Sequence, residues 1–307
     1  MLVPRVGEEP LDFANCSWLS LPNVAIGEMI SVYNTENNPL FVANYFNAML
    51  KYEFAEKVEG GNVSNLYFHR LLDIPVSFPT IEEQETISQF FDILTDTITL
   101  HKRKLDGLKE LKKGYLQQMF PQAGESVPRV RFNGFTGDWE VRKVEDFANV
   151  GTGNKDTQDA TPEGKYDFYV RSHKIEKIGT YSFDGEAVLT VGDGVGVGKV
   201  FHYVNGKFNY HQRVYKISDF NGVYGQFFYQ YFSQNFINES SKYNAKTSVD
   251  SVRREMITKM EIPCPCHEEQ TIIGSFFCSL DEQITAQQQK LTQLKQLKLA
   301  YLQKMFV

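Results

Sequence analysis

Apolar residues recur in alternating steps of four and three along residues 82–120. The series is Ile87, Phe91, Leu94, Ile98, His101, Leu105, Leu108, Lys112, Tyr115 and Met119. Such steps line up along one narrow stripe of a helix, which is the seam of a coiled coil. Residues 268–306 repeat that stripe at a constant offset of 186, as Ile273, Phe277, Leu280, Ile284, Gln287, Leu291, Leu294, Lys298, Tyr301 and Met305. About half of the positions in the two stretches are identical, and a polar residue stands at the same two steps of each. Neither stretch contains proline. At 1.5 Å per residue each helix should reach roughly 58 Å, far more than one globular domain needs. A stripe this narrow requires a partner helix, and the other copy is the nearest. The pattern thus predicts two long helices paired antiparallel within the chain. Leu111, Leu116, Leu297 and Leu302 lie beside the seam and are expected to offer apolar surface to partner helices.

Outside these helices the pattern is shorter in period. Residues 1–81 carry brief apolar runs separated by Asn, Gly and Pro, with a helix expected over 41–50. Residues 121–128 are rich in Gly, Ser and Pro and read as a linker. Beyond it, strands are expected over 166–170, 187–191, 200–203 and 213–217. A helix rich in aromatic residues is expected over 226–236 and a second over 251–259, with Ser248 or Asp250 as its cap. The offset of 186 also extends upstream of the helices, pairing Tyr45–Phe46 with Tyr231–Phe232 and Pro79 with Pro265. Extrapolated back, it sets Met1 against Ala187. The expected organisation is therefore a front-truncated module (1–81), a spacer helix (82–120), a linker (121–128), a complete module (129–265) and a second spacer helix (266–307). The fold class is α/β in the broad sense, α+β in detail.

Composition adds bounds. Of 307 residues, 42% are hydrophobic and 23% charged, enough for two or three domains with real cores. No apolar run suits a membrane span and no signal peptide is legible, which predicts a cytoplasmic protein with no membrane partner. Four cysteines without a framework are expected to be reduced thiols. The net charge of −6 looks wrong for binding nucleic acid until it is divided. Residues 1–81 hold four basic and nine acidic side chains, whereas 125–265 hold eighteen of each. The later module holds most of the basic side chains, so a one-sided basic face is possible there.

The order of module, helix, module, helix resembles the DNA-specificity subunits of Type I restriction-modification systems. The residues that carry the likeness are EEQ at 82–84 and 268–270, the phrases 109–120 and 295–306 ending in YLQ-x-MF, and RFNGFTGDWEVRKV at 131–144. The resemblance implies an antiparallel spacer that docks two methyltransferase subunits, and through them restriction and translocase subunits. It implies globular modules that each read half of a split double-stranded DNA site. A full-length relative would open with its own RF-x-GFT-x-DWE-like segment, which this sequence does not show before its first module.

The chemistry of the residues agrees. GDGVGVGK at 192–199 lacks the glycine spacing and the Ser or Thr of a phosphate loop, so a turn between strands is expected. Cys264, Cys266 and His267 lack a second ligand pair at zinc spacing, so an apolar strand end is expected instead. No catalytic constellation and no cofactor motif is legible, and catalysis is expected from partners. For DNA contact the candidates are Lys155, Arg171, Ser172, Lys174, Tyr210, His211, Gln212, Arg213, Lys246, Thr247, Arg253 and Arg254. Arg reads guanine bidentately, Gln reads adenine, and Lys or Ser holds phosphate. Lys246 and Thr247 precede the helix expected over 251–259, whose first amides could take a phosphate. The alternative reading is an assembly or decoy subunit that binds methyltransferases through its helices and reads no sequence.

Overall fold

The computed structural model describes residues 1–60, 64–122, 124–241 and 251–306. Two helices dominate it, Ile81–Gln118 and His267–Met305, as the seam requires. Two compact units divide the chain, Met1–Asp106 with Thr285–Val307, and Gly107–Ile284. Each unit therefore takes half of each long helix. Within both, the halves run antiparallel: contacts pair Phe91 with Phe306 and Thr95 with Lys298 in one, Lys112 with Asp281 and Tyr115 with Phe276 in the other.

The polar seam positions find partners. In the N-terminal unit Gln287 Nε2 donates to the His101 backbone oxygen at 2.9 Å and lies 2.6 Å from His101 Nδ1. Lys298 Nζ donates to Thr95 Oγ1 at 2.8 Å, while in the later unit Lys112 Nζ binds both oxygens of Asp281 at 2.6 and 2.8 Å. These contacts fix register. One expectation fails at the C-terminal end, where Tyr301 and Met305 are each 37% exposed. The seam moves over to half-buried Leu302 and to buried Phe306, because that phenylalanine has to enter the core of the N-terminal unit.

The repeat explains both ends of the frame. Gln84 Oε1 accepts from Asn38 N at 3.0 Å while its Nε2 donates to Pro79 O at 2.9 Å. Gln270, at the offset, accepts from Tyr224 N at 2.9 Å and donates to Pro265 O at 2.9 Å. Each glutamine is buried, so these bonds replace the water it has lost. At the other end, Phe306 packs on Phe41, Tyr45 and Phe91, and Phe120 packs on Phe227, Tyr231 and Phe277. EEQ and YLQ-x-MF are therefore the two points where a long helix grips a globular core.

What is built on the frame differs. The later unit carries a six-stranded sheet in the order Asn149–Thr152, Val214–Ser218, Phe183–Val191, Phe201–Tyr210, Tyr166–Tyr169, Ile175–Ile178, antiparallel except where Phe201–Tyr210 meets Tyr166–Tyr169. The helix Gly225–Ser241 presses Phe227, Phe228, Phe232 and Phe236 into its core. Gly274 lets that helix close on the long one, since a Cβ there would lie 2.7 Å from Tyr224 Cε1 and 2.9 Å from Phe227 N. The N-terminal unit holds helices Pro39–Met49 and Lys51–Lys57 over a core of Phe13, Phe41, Phe54, Phe91 and Phe306. Asn38 caps the first of these helices through Leu40 N and Phe41 N, at 3.1 and 3.0 Å. Its sheets are only two- and three-stranded among the described residues.

Candidate nucleic-acid interface

Asp193 stands at the end of strand Phe183–Val191, where the chain turns through Gly194 and Gly196 toward strand Phe201–Tyr210. The glycines are needed there: Gly194 has φ +77°, and a Cβ on Gly196 would come within 2.7 Å of the Arg171 carbonyl oxygen. The turn that replaces a phosphate loop thus brings the Arg171 backbone against it. Val195, at its tip, is 91% exposed.

The Asp193 carboxylate faces two guanidinium groups. Arg171 Nη1 lies 3.4 Å from Oδ1 and Arg213 Nε 3.6 Å from Oδ2, and both arginines are exposed. One acid holds two cations at the surface without burying either. Backbone bonds tie further segments to this point: Gly192 N donates to Arg213 O at 2.7 Å, and Val252 N to Gly192 O at 2.7 Å. The second of these brings exposed Arg253 and Arg254 next to the turn.

A second acid organises the adjoining strip. Gln212 N donates to Lys155 O at 2.7 Å, and Gln212 Nε2 to Asp156 Oδ2 at 2.8 Å. The Thr157 backbone amide, first among several donors, holds the Asp156 carboxyl below its ordinary range, so it stays ionised. His211 is buried, and burial pushes its imidazole below the usual range although Asp156 pulls the other way. It is neutral, with Nδ1 accepting from Arg213 N at 2.9 Å and Nε2 directed at Asp156 Oδ1, 3.8 Å away. This histidine holds the Gln212–Arg213 turn in shape and is not itself presented to solvent. Ser172 and Lys174 lie on the loop after Tyr166–Tyr169, where Lys174 Nζ pairs with Glu176 at 2.7 Å. A cleft of about 430 Å³ opens between Thr157, Arg171, Ser172, Asp193 and Val195.

Of the sequence candidates, Lys155, Arg171, Ser172, Lys174, Gln212, Arg213, Arg253 and Arg254 thus lie on linked surface segments. Tyr210 does not join them. It is 8% exposed and packs on Phe208 in the core, its ring 5.9 Å away, because alternation along strand Phe201–Tyr210 turns both inward. Lys246 and Thr247 lie outside the described residues, as do the caps Ser248 and Asp250. The helix they were expected to precede spans only Arg254–Thr258, and its N-cap residue Arg253 makes no side-chain cap bond to it. A helix of that length offers no phosphate site. Sequence reasoning missed Asp156 and Asp193, since acids argue against DNA contact until they are seen holding the cations.

On the long helices, Leu111 and Leu297 are exposed beside the seam. Leu116 and Leu302 are half-buried against the cores of their own units, which leaves them less surface for a partner. No helix among the described residues is long and apolar enough to cross a membrane.

Comparison with known proteins bears on this arrangement. The model of the family described as "Type I restriction modification DNA specificity domain" matches residues 21–110 and 136–296. The specificity subunit of the Type I restriction enzyme EcoDI from Escherichia coli is 27% identical over 160 residues, which cover 52% of this chain and 35% of that protein. The chain therefore matches about a third of the length of this relative. Among solved structures, the S subunit of a Type I restriction-modification system from M. genitalium superposes with a TM-score of 0.77 at 14% identity, covering 100% of this chain and 82% of the other. A chain from a structure on complex assembly and conformational transition of the type I R-M system gives a TM-score of 0.54 at 17% identity, over 88% of this chain and 71% of that one. At these identities the superpositions speak to the fold alone.

Proposed function

Because the chain belongs to the family of Type I restriction modification DNA specificity domains, we propose that it is the DNA-reading, non-catalytic subunit of a Type I restriction-modification complex. The observation that carries the reading is the pair Arg171 and Arg213 held at the surface by one carboxylate. An arginine oriented this way can exchange a weak, solvated ion pair for a bidentate bond to guanine or phosphate with little rotamer freedom left to lose. Gln212, held by Asp156, is positioned to read adenine, and exposed Val195 can meet a thymine methyl. Lys155, Ser172, Lys174, Arg253 and Arg254 supply backbone contacts that set register, with Lys246 and Thr247 as further candidates.

In this reading residues 129–265 are the target-recognition module, 1–81 a partial one, 82–120 and 266–307 the spacer helices and 121–128 a linker. The helices dock two methyltransferase subunits, chiefly through Leu111 and Leu297, with Leu116 and Leu302 at the margin. Restriction and translocase subunits join through that complex, and chemistry on DNA belongs to those partners. The test is to map methylated bases in cells that express this chain with the methyltransferase subunits of its own system. One motif should be methylated, and Arg171→Ala with Arg213→Ala should abolish it while the complex still assembles. An assembled complex that methylates no motif with the unaltered chain would favour a subunit that assembles without reading DNA.

A further inference from the structure

His211 stands among the segments that carry the candidate base-reading side chains, yet it is itself buried. Its backbone amide donates to Tyr169 O at 2.9 Å, its carbonyl accepts from Val214 N at 2.9 Å, and it pairs with Lys155 in an isolated parallel bridge. Gly153 is needed beside it, because a Cβ there would fall 2.8 Å from the His211 carbonyl oxygen. The backbone is thus clamped, and the influence of the ring on the turn depends on its protons.

In the neutral ring Nδ1 accepts from the Arg213 amide at 2.9 Å, so the proton is on Nε2. That N–H is buried with no hydrogen-bond partner among the described residues, 3.8 Å from Asp156 Oδ1. The other oxygen of the same carboxylate holds Gln212 Nε2 at 2.8 Å. One imidazole therefore fixes the backbone of Arg213 and faces the acid that fixes Gln212.

Resting on the assignment of Gln212 and Arg213 to base reading, we infer that His211 is a positioning residue for sequence discrimination, active as the neutral imidazole and disabled by a proton. The protonated ring presents Nδ1–H to the Arg213 N–H, donor against donor, and its charge draws Asp156 toward Nε2 in competition with Gln212. The turn then loses both of its holds. Contacts to phosphate survive, since an added positive charge favours them. The charged groups that face the ring are Asp156, Arg171 from the loop after Tyr166–Tyr169, Asp193 from the turn after Phe183–Val191, and Arg213 from its own turn. The two carboxylates and the two guanidinium groups oppose one another, and burial, the largest influence, lowers the imidazole below its ordinary 6.5. The ring is thus neutral at and above that pH, and discrimination is lost as pH falls through the lowered value.

The test measures affinity by fluorescence anisotropy at fixed salt, from about pH 8 to about pH 5, for the complex assembled with its methyltransferase subunits. One duplex carries the motif that the complex methylates, and a shuffled duplex of equal length is the control. The ratio of the two affinities should fall about tenfold or more toward the acid end, while affinity for the shuffled duplex does not fall. His211→Asn keeps an acceptor for the amide two residues on, as in an Asx turn, and carries no titrating proton. It should preserve the ratio across the whole range, whereas His211→Leu should lower it at every pH. A ratio indifferent to pH, a fall that persists in His211→Asn, or a ratio lost equally in both variants would overturn the inference and leave DNA reading by the later module intact. A complex that methylates no motif would instead remove that reading, and this inference with it.

Discussion

Two units are built on one frame, and only one of them bears a large sheet. Both have a buried glutamine that joins helix to globular core, and both receive a phenylalanine from the far end of the other long helix. Yet the later unit adds six strands, whereas the N-terminal unit leaves Leu21, Met29 and Val32 exposed over short sheets. The candidate DNA residues fall outside what is shared. At the constant offset Arg213 stands against Gly27 and Asp193 against Gly7. The repeat therefore specifies how modules attach to the helices, and says nothing about what a module reads.

Truncating the shared phenylalanine is the strongest way to break the comparison. Phe120→Ala and Phe306→Ala should each cost about 3–5 kcal/mol, since each removes a fully packed ring from a core. Urea denaturation measures both, and a large cost for only one would mean that the frame is not shared. The acids should separate the units instead. Glu269→Gln leaves Arg131 largely enclosed without its charge partner and should cost about 3 kcal/mol. Glu83→Gln, on an exposed side chain, should stay within about 0.5 kcal/mol. Equal effects in the same titration would contradict that contrast.

A smaller shared effect is expected at the helix starts. Gln270→Ala strands the Tyr224 amide and the Pro265 carbonyl, and Gln84→Ala strands their counterparts at Asn38 and Pro79. Each should cost about 1–3 kcal/mol, measurable as a lowered melting temperature. The smallest change belongs to the seam. His101→Leu with Gln287→Leu should raise the melting temperature slightly while loosening the register of the helices, because a polar pair in an apolar seam gains specificity at a cost in stability. A fall in melting temperature would mean that the Gln287–His101 bonds outweigh the apolar burial that replaces them.

Much of this frame was legible because its signal is periodic and occurs twice. Ile87 to Lys298 follow the expected seam, and only the last turn, where Phe306 enters a core, departs from it. The sheet was harder. Strand Phe201–Tyr210 runs well past the expected 200–203, since Asn205, Gly206 and Lys207 break the apolar pattern although pairing with Phe183–Val191 continues through them. Strands Glu140–Lys143 and Ile175–Ile178 carry mixed charges and exist only through distant partners, which no local pattern encodes. At the candidate interface residue type pointed to the arginines and Gln212. Tyr210 was misjudged, although its two-residue spacing from Phe208 marks an inward face, and Asp156 and Asp193 acquire their role only through proximity.

DNA affinity at fixed salt, measured by fluorescence anisotropy on the complex assembled with its methyltransferase subunits and DNA that carries the methylated motif, separates the two modules most directly. Arg213→Ala should cost about 1–3 kcal/mol and relax one base position. Arg253→Ala with Arg254→Ala should weaken binding to all sequences alike, whereas Arg5→Ala and Lys51→Ala in the acidic N-terminal unit should leave it nearly unchanged. Greater loss from Arg5 and Lys51 than from Arg213 would contradict the assignment of DNA reading to the later module.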